Sequence, residues 1–196
     1  MRRLILGLVI LFTSATLASA QTPVEYFPLK KGSKWTYKLN DFEVVVEVGD
    51  YDKDKNETKL KTLSQGKEVA NETITTDATG IYRSRINTTA IDPKVKILEL
   101  KDGKPAAKGT KWTIKSKVQQ QDISGDFEIK DDKMALKVPA GDLTDVVYVE
   151  GAKLTIAGTE TAVKYWFAKG KGIVKLSYTI NGQDVVLELK SYEEAK

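Results

Sequence analysis

Val174-Lys175-Leu176-Ser177-Tyr178-Thr179-Ile180-Asn181-Gly182 sets the fold class of this chain. Val174, Leu176, Tyr178 and Ile180 alternate with Lys175, Ser177 and Thr179, and a period of two puts an apolar face and a wet face on an extended strand. Asn181-Gly182 then supplies two residues that accept positive φ, the chemistry of a two-residue hairpin turn, before a second alternating run. The same alternation recurs outward from this point. Trp35, Tyr37 and Leu39 alternate with Lys34, Thr36 and Lys38, and Trp112 and Ile114 with Lys111, Thr113 and Lys115. Turn chemistry at Asp102-Gly103 and across Lys169-Gly170-Lys171-Gly172 separates further runs. No long window carries a helical period, so helix is expected only as a turn near Pro28 and at the end, Tyr192 to Lys196. About eleven or twelve short strands follow from this spacing. With no helix layer to cover a parallel sheet, they predict an all-β domain: an antiparallel, strongly curved sheet closing as a half-barrel, a barrel or a sandwich.

A pattern that occurs twice divides the chain. Pro28-x-x-Lys31-Gly32-Ser33-Lys34-Trp35-Thr36-x-Lys38 returns as Pro105-x-x-Lys108-Gly109-Thr110-Lys111-Trp112-Thr113-x-Lys115, and the two hold two of the chain's three Trp residues. Self-similarity of this kind predicts a two-fold internal repeat, with halves at approximately 26–100 and 103–196. In each half, Gly32 or Gly109 would shape a turn that launches a strand, and Trp35 or Trp112 would be its first inward residue. Core anchoring by the two indoles is favoured over a binding wall, because a large aromatic is the natural filler of a core.

The first twenty residues carry an address. Arg2 and Arg3, the apolar run Leu4–Phe12 and the small triplet Ala18-Ser19-Ala20 predict a signal peptide over residues 1–20, cleaved to leave Gln21 first. The run is far shorter than the ~20 residues of a membrane-spanning helix, so the expected product is a periplasmic or extracellular protein and not an integral membrane protein. Residues 21–196 then form a single all-β domain, long enough for its own core. The chain has no Cys and no His. Absent Cys removes disulfides and suits a bacterial exported domain. Absent His removes Ser-His-Asp and Cys-His nucleophile systems and imidazole zinc sites, so no metal and no cofactor are expected. Loss of Arg2 and Arg3 lowers the formal charge from +4 to +2, and Lys is interleaved with Asp and Glu. No concentrated basic face remains for nucleic acid.

Three segments then resemble something known: Tyr26-Phe27-Pro28-Leu29-x-x-Gly32-x-x-Trp35-x-Tyr37, Val138-Pro139-Ala140-Gly141-x-Leu143 and Tyr165-Trp166-Phe167-Ala168-x-Gly170-x-Gly172-Ile173-Val174-Lys175. Together they resemble a group of exported bacterial all-β proteins of the domain-of-unknown-function type, distantly similar to the curved sheets of periplasmic lipoprotein-carrier proteins. The resemblance implies an exported all-β domain and carries no catalytic residues. It lacks a counterpart to the helices that plug the half-barrel of a lipoprotein carrier.

Local clusters yield few candidates for chemistry. Asp50-x-Asp52-x-Asp54-x-Asn56 imitates the start of a calcium loop, but Lys55 and Lys61 stand where the turn Gly and the bidentate Glu belong, so an acidic hairpin tip is expected. Asn56, Asn71 and Asn87 open Asn-x-Thr sequons and are expected to serve as turn and strand polar residues. Asp126, Glu128, Asp142 and Asp145 are the carboxylates a glycan hydrolase would draw on, with no spacing that singles out a pair. Thr161 to Ala168 is the best candidate binding strand, because Tyr165 and Phe167 point one way and Trp166 the other. A strand apolar on both faces either sits in a covered core or lines a cavity on one side. The expectation is a non-enzymatic domain that binds an apolar small molecule, a lipid or a partner protein through Tyr165, Trp166 or Phe167. A structural, envelope-associated protein without a ligand is the alternative.

Overall fold

A computed structural model describes residues 25–180 and 182–196; the expected signal segment, Gln21 and Asn181 lie outside the described residues. Thirteen strands are present: β1 (Lys34–Leu39), β2 (Phe42–Asp52), β3 (Glu57–Ser64), β4 (Lys67–Asp77), β5 (Gly80–Ile86), β6 (Thr89–Lys101), β7 (Lys104–Pro105), β8 (Lys111–Val118), β9 (Gln121–Val138), β10 (Gly141–Ile156), β11 (Thr159–Ala168), β12 (Gly172–Ile180) and β13 (Gln183–Glu193). Every pairing is antiparallel. β1 pairs with β13, β5 with β6 and β6 with β8, so the curved sheet closes into a twelve-strand barrel, with β7 as a two-residue extra strand beside β6. Closure leaves the sheet without a long free edge. The expected half-barrel and sandwich alternatives are thereby removed. The expected terminal helix is corrected too, since β13 runs through Tyr192 to Glu193 and no helix occurs among the described residues.

Antiparallel order gives the barrel two unlike ends. At one, six pairs of strands turn tightly, and residues with positive φ mark the turns: Asn40 (+53°), Gln65 (+51°), Asn87 (+52°), Gln119 (+58°), Ala157 (+50°) and Gly182 (+77°). We call this the hairpin end. At the other, the loop end, three connections are longer, over residues 53–56, 106–110 and 169–171, while β4–β5, β6–β7 and β9–β10 turn in two residues. The β9–β10 hairpin outruns its neighbours here and reaches past β11 and β12, where Ala140 N donates to Leu189 O of β13 at 2.9 Å.

Side chains alternate into and out of the barrel. Outside lie Lys59, Lys61, Lys111, Lys115 and Lys117, all exposed, which is the reverse of the apolar-out, polar-in pattern of a membrane-spanning barrel. Inside, burial is uneven along the axis. Phe27, Trp35, Val48, Ile81, Ile97, Phe167 and Leu189 fill the loop end and are buried. Val46, Val163, Leu176 and Leu187, closer to the hairpin end, are only partly buried. The core therefore seals one end and thins toward the other.

One seam of the barrel is short. β6 and β8 share only the pairs Ile91↔Val118 and Asp92↔Lys117, and Pro93, next along β6, has no N–H to continue the ladder. Trp112 spans the gap that follows, its Nε1 donating to Lys96 O at 3.0 Å. The opposite seam, β1 with β13, is paired along the whole of β1 save its last residue.

Candidate functional site in the barrel lumen

Where the core thins, space remains. A cavity of about 310 Å³ lies against Ile91, Val95, Ile114, Ile123, Phe127, Leu154, Val163 and Tyr165, with Ile86 and Ile156 at its hairpin-end margin. A smaller one of about 190 Å³ lies against Trp35, Tyr37, Val44, Val46, Leu60 and Leu187. Both are bounded by Arg83, Leu176 and Tyr178. At ~30 Å³ per water the larger space equals roughly ten waters, yet its walls offer few of the two to four polar partners each buried water needs. Its shape follows from small residues as well as large ones. Gly151 carries no side chain where a Cβ would meet Phe127 Cε1 at 2.7 Å, so the edge of the Phe127 ring can approach the β10 backbone closely there.

The charged groups of these walls are Arg83 and Glu72. Arg83 extends from β5 into the lumen, where its Nε donates to Glu72 Oε2 of the neighbouring strand β4. Its Nη1 reaches the Tyr165 hydroxyl of β11 at 3.3 Å, across the barrel. Burial opposes the Arg83 charge, but the Glu72 carboxylate and the Tyr165 hydroxyl outweigh it and hold the guanidinium above its ordinary range. Tyr37 closes the site from β1 by donating to Ile173 O at 2.7 Å. Its burial, with the nearby Glu72 charge, pushes the phenol well up. Glu72 and Arg83 were not singled out from the sequence. The available signal was parity: Arg83 follows the inward Ile81 by two, so a charge stands at an apolar position of β5.

Residues expected from the sequence are distributed as follows. Tyr165 lines the larger cavity, and Phe167 stacks beside it with ring centroids 5.8 Å apart. Trp166 is on the other face, outside the barrel. It stacks on Tyr148 at 4.8 Å, lies under the Lys175 ammonium at 5.5 Å, and its Nε1 is buried without an acceptor among the described residues. Trp35 is buried and donates to Lys171 O at 2.6 Å, whereas Trp112 is half-buried and stacks on Phe127 at 5.5 Å. The turns before them match closely. Gly32 N donates to Val48 O and Val48 N to Ser33 O; Gly109 N donates to Ile129 O and Ile129 N to Thr110 O. The two glycines have φ of +88° and +86°.

The carboxylates are scattered, and two of them are engaged. Asp126 accepts from Thr113 Oγ1 at 2.6 Å, and Glu128 takes Lys130 and Lys111, all on the outer face. Asp142 and Asp145 lie near the turn of the β9–β10 hairpin, far along the same ladder. At the acidic tip, Lys31 pairs with Asp50 at 2.6 Å and Lys55 with Asp52 at 3.1 Å, while Asn56 Nδ2 donates to Thr76 O. Asn71 and Asn87 pin each other through Asn87 N to Asn71 O and Asn71 N to Asn87 Oδ1.

Comparison with known proteins finds the fold and little else. No family model matches the chain, and no curated protein matches it. Two solved structures do. One, described as an exported protein with a YmcC-like fold, from Bacteroides fragilis, shares 14% identity at a TM-score of 0.56, covering 87% of this chain and 100% of that one. The other, described as a lipoprotein from Parabacteroides distasonis, shares 11% identity at a TM-score of 0.56, covering 88% and 100%. At such identity the likeness is one of fold, and it agrees with the resemblance to exported bacterial β-proteins noted from the sequence.

Proposed function

We propose that this protein is an exported, non-enzymatic barrel that holds an apolar or amphipathic small molecule in its lumen. The observation that carries the reading is the cavity of about 310 Å³, apolar over most of its wall and continuous with a thinning core. Its size is at the lower bound of ligand pockets, which run from ~300 to 1,000 Å³, with few polar groups among many apolar ones. Export is supported by residues 1–20 and by the descriptions of the two structural neighbours. Native mass spectrometry of protein purified without detergent is the test. A co-purifying hydrophobic species, lost on delipidation and regained on adding lipid extract, is expected; a chain that stays empty against a broad lipid panel overturns the reading.

A second reading, an envelope protein that acts through a partner, is favoured by one feature. The large apolar side chains exposed among the described residues, Phe42, Val69, Ile86 and Ile156, all lie near the hairpin end. The duplicated turns further support a two-fold origin of the barrel, β1 to β6 as one unit and β8 to β13 as the other.

A further inference from the structure

We infer that the lumen takes a single-chain amphipath whose head group is a carboxylate, held by the free edge of the Arg83 guanidinium with the tail in the larger cavity. This rests on the lumen-binding function proposed above and names its ligand class. A guanidinium has five N–H donors. Two are used, one on Nε by Glu72 and one on Nη1 by Tyr165 at 3.3 Å. The other three have no acceptor among the described residues, although the side chain is 21% exposed and bounds both cavities. These donors are not sealed in the wall but open to the lumen, and the pair on Nη1 and Nη2 is the fork that carboxylates fit with two parallel bonds.

Competing head groups fit less well. An ammonium would bring only donors to a group that is all donor, and an alcohol can accept but offers a single neutral oxygen in place of a charged pair. A phosphate would bring nearly two charges to a wall whose one cation is already shared with Glu72. The tail has an apolar path from Arg83 past Val163 and Leu154 to Ile86 and Ile156, whose 39% and 41% exposure at the hairpin end marks the mouth.

The test compares cis-parinaric acid with its methyl ester by fluorescence titration, using wild type, Arg83→Met and Glu72→Gln. Charge-assisted bonds to the fork predict that wild type binds the acid about tenfold more tightly than the ester. Arg83→Met should abolish that preference and keep ester binding, and Glu72→Gln, which frees the guanidinium from its carboxylate, should enlarge it. Equal binding of acid and ester by wild type, or a preference that survives Arg83→Met, overturns the carboxylate assignment while leaving lumen binding intact. Binding of neither probe overturns both. If Arg83→Met does not fold, the wild-type ratio and the direction of the Glu72→Gln change decide.

Discussion

Trp35 and Trp112 occupy matching places in the sequence but differ in burial. Trp35 is enclosed by Phe27, Tyr192 and the Lys171 carbonyl, so Trp35→Ala should cost about 3–5 kcal/mol, the usual range for emptying a buried aromatic site. Trp112→Ala should cost clearly less, because that indole is partly open to solvent. Urea denaturation of both variants checks the order, and equal midpoints would refute it. Gly151 offers a sharper contrast. A methyl group there would press into the buried Phe127 ring, which could yield only by shifting into the cavity it lines, so Gly151→Ala should destabilise the barrel. Gly66→Ala, where nothing lies within 4 Å, should show only the smaller penalty of its positive φ. Two tyrosines set an alkaline limit. Burial, with the Glu150 charge, pushes Tyr148 up to about 12, and burial with Glu72 raises Tyr37 further. Both phenols ionise more readily in the unfolded chain, near pH 10, than in the folded one. Stability is therefore unaffected below that pH and falls as pH rises from 10 toward 12. Thermal unfolding followed across that range should show the decline, reduced by Tyr37→Phe.

The β6–β8 seam is the element on which closure depends. Its ladder is two residue pairs long, and the Trp112 Nε1 bond to Lys96 O spans the rest. Trp112→Phe keeps the ring and deletes the donor, so it should lower stability by about 1 kcal/mol. Hydrogen exchange should rise in β6 and β8 and stay unchanged in β1 and β13, whose seam is laddered along β1 from Lys34 to Lys38. Uniform acceleration around the barrel would contradict this view of the seam. Strand existence was legible in the sequence because alternation and turn residues are local signals: Val174 to Ile180, Asp102-Gly103 and Lys169 to Gly172 all became the strands and turns they predict. The terminal helix was misread because Tyr192 pairs with Trp35 across the β1–β13 seam, a contact with a residue far away in the chain. Closure was not legible for the same reason, since it depends on β1 meeting β13. At the site, alternation placed Tyr165 and Phe167 together and Trp166 apart. It could not place Arg83, whose partner Tyr165 is brought to it only by the curvature of the whole sheet.

On the scale of the molecule, the barrel is a vessel closed at one end. Phe27, Trp35, Phe167 and Leu189 fill the loop end, the β9–β10 hairpin ties it to β13, and packing loosens toward tight turns rimmed by Phe42, Val69, Ile86 and Ile156. An apolar molecule would enter from that rim and stop at Arg83, where the two cavities meet. On the outer face, Trp166 is stacked on Tyr148 and covered by Lys175. Tyr165→Ala and Trp166→Ala should therefore behave differently, the first weakening binding and the second leaving it intact in protein that remains folded. The most direct measurement is nuclear Overhauser contact between the chain of bound dodecanoate and the protein side chains. The account predicts contacts to Leu176, Tyr178, Val163 and Tyr165 from within the lumen; contacts confined to Trp166, Tyr148 or the outer lysines, or no bound chain at all, would contradict it.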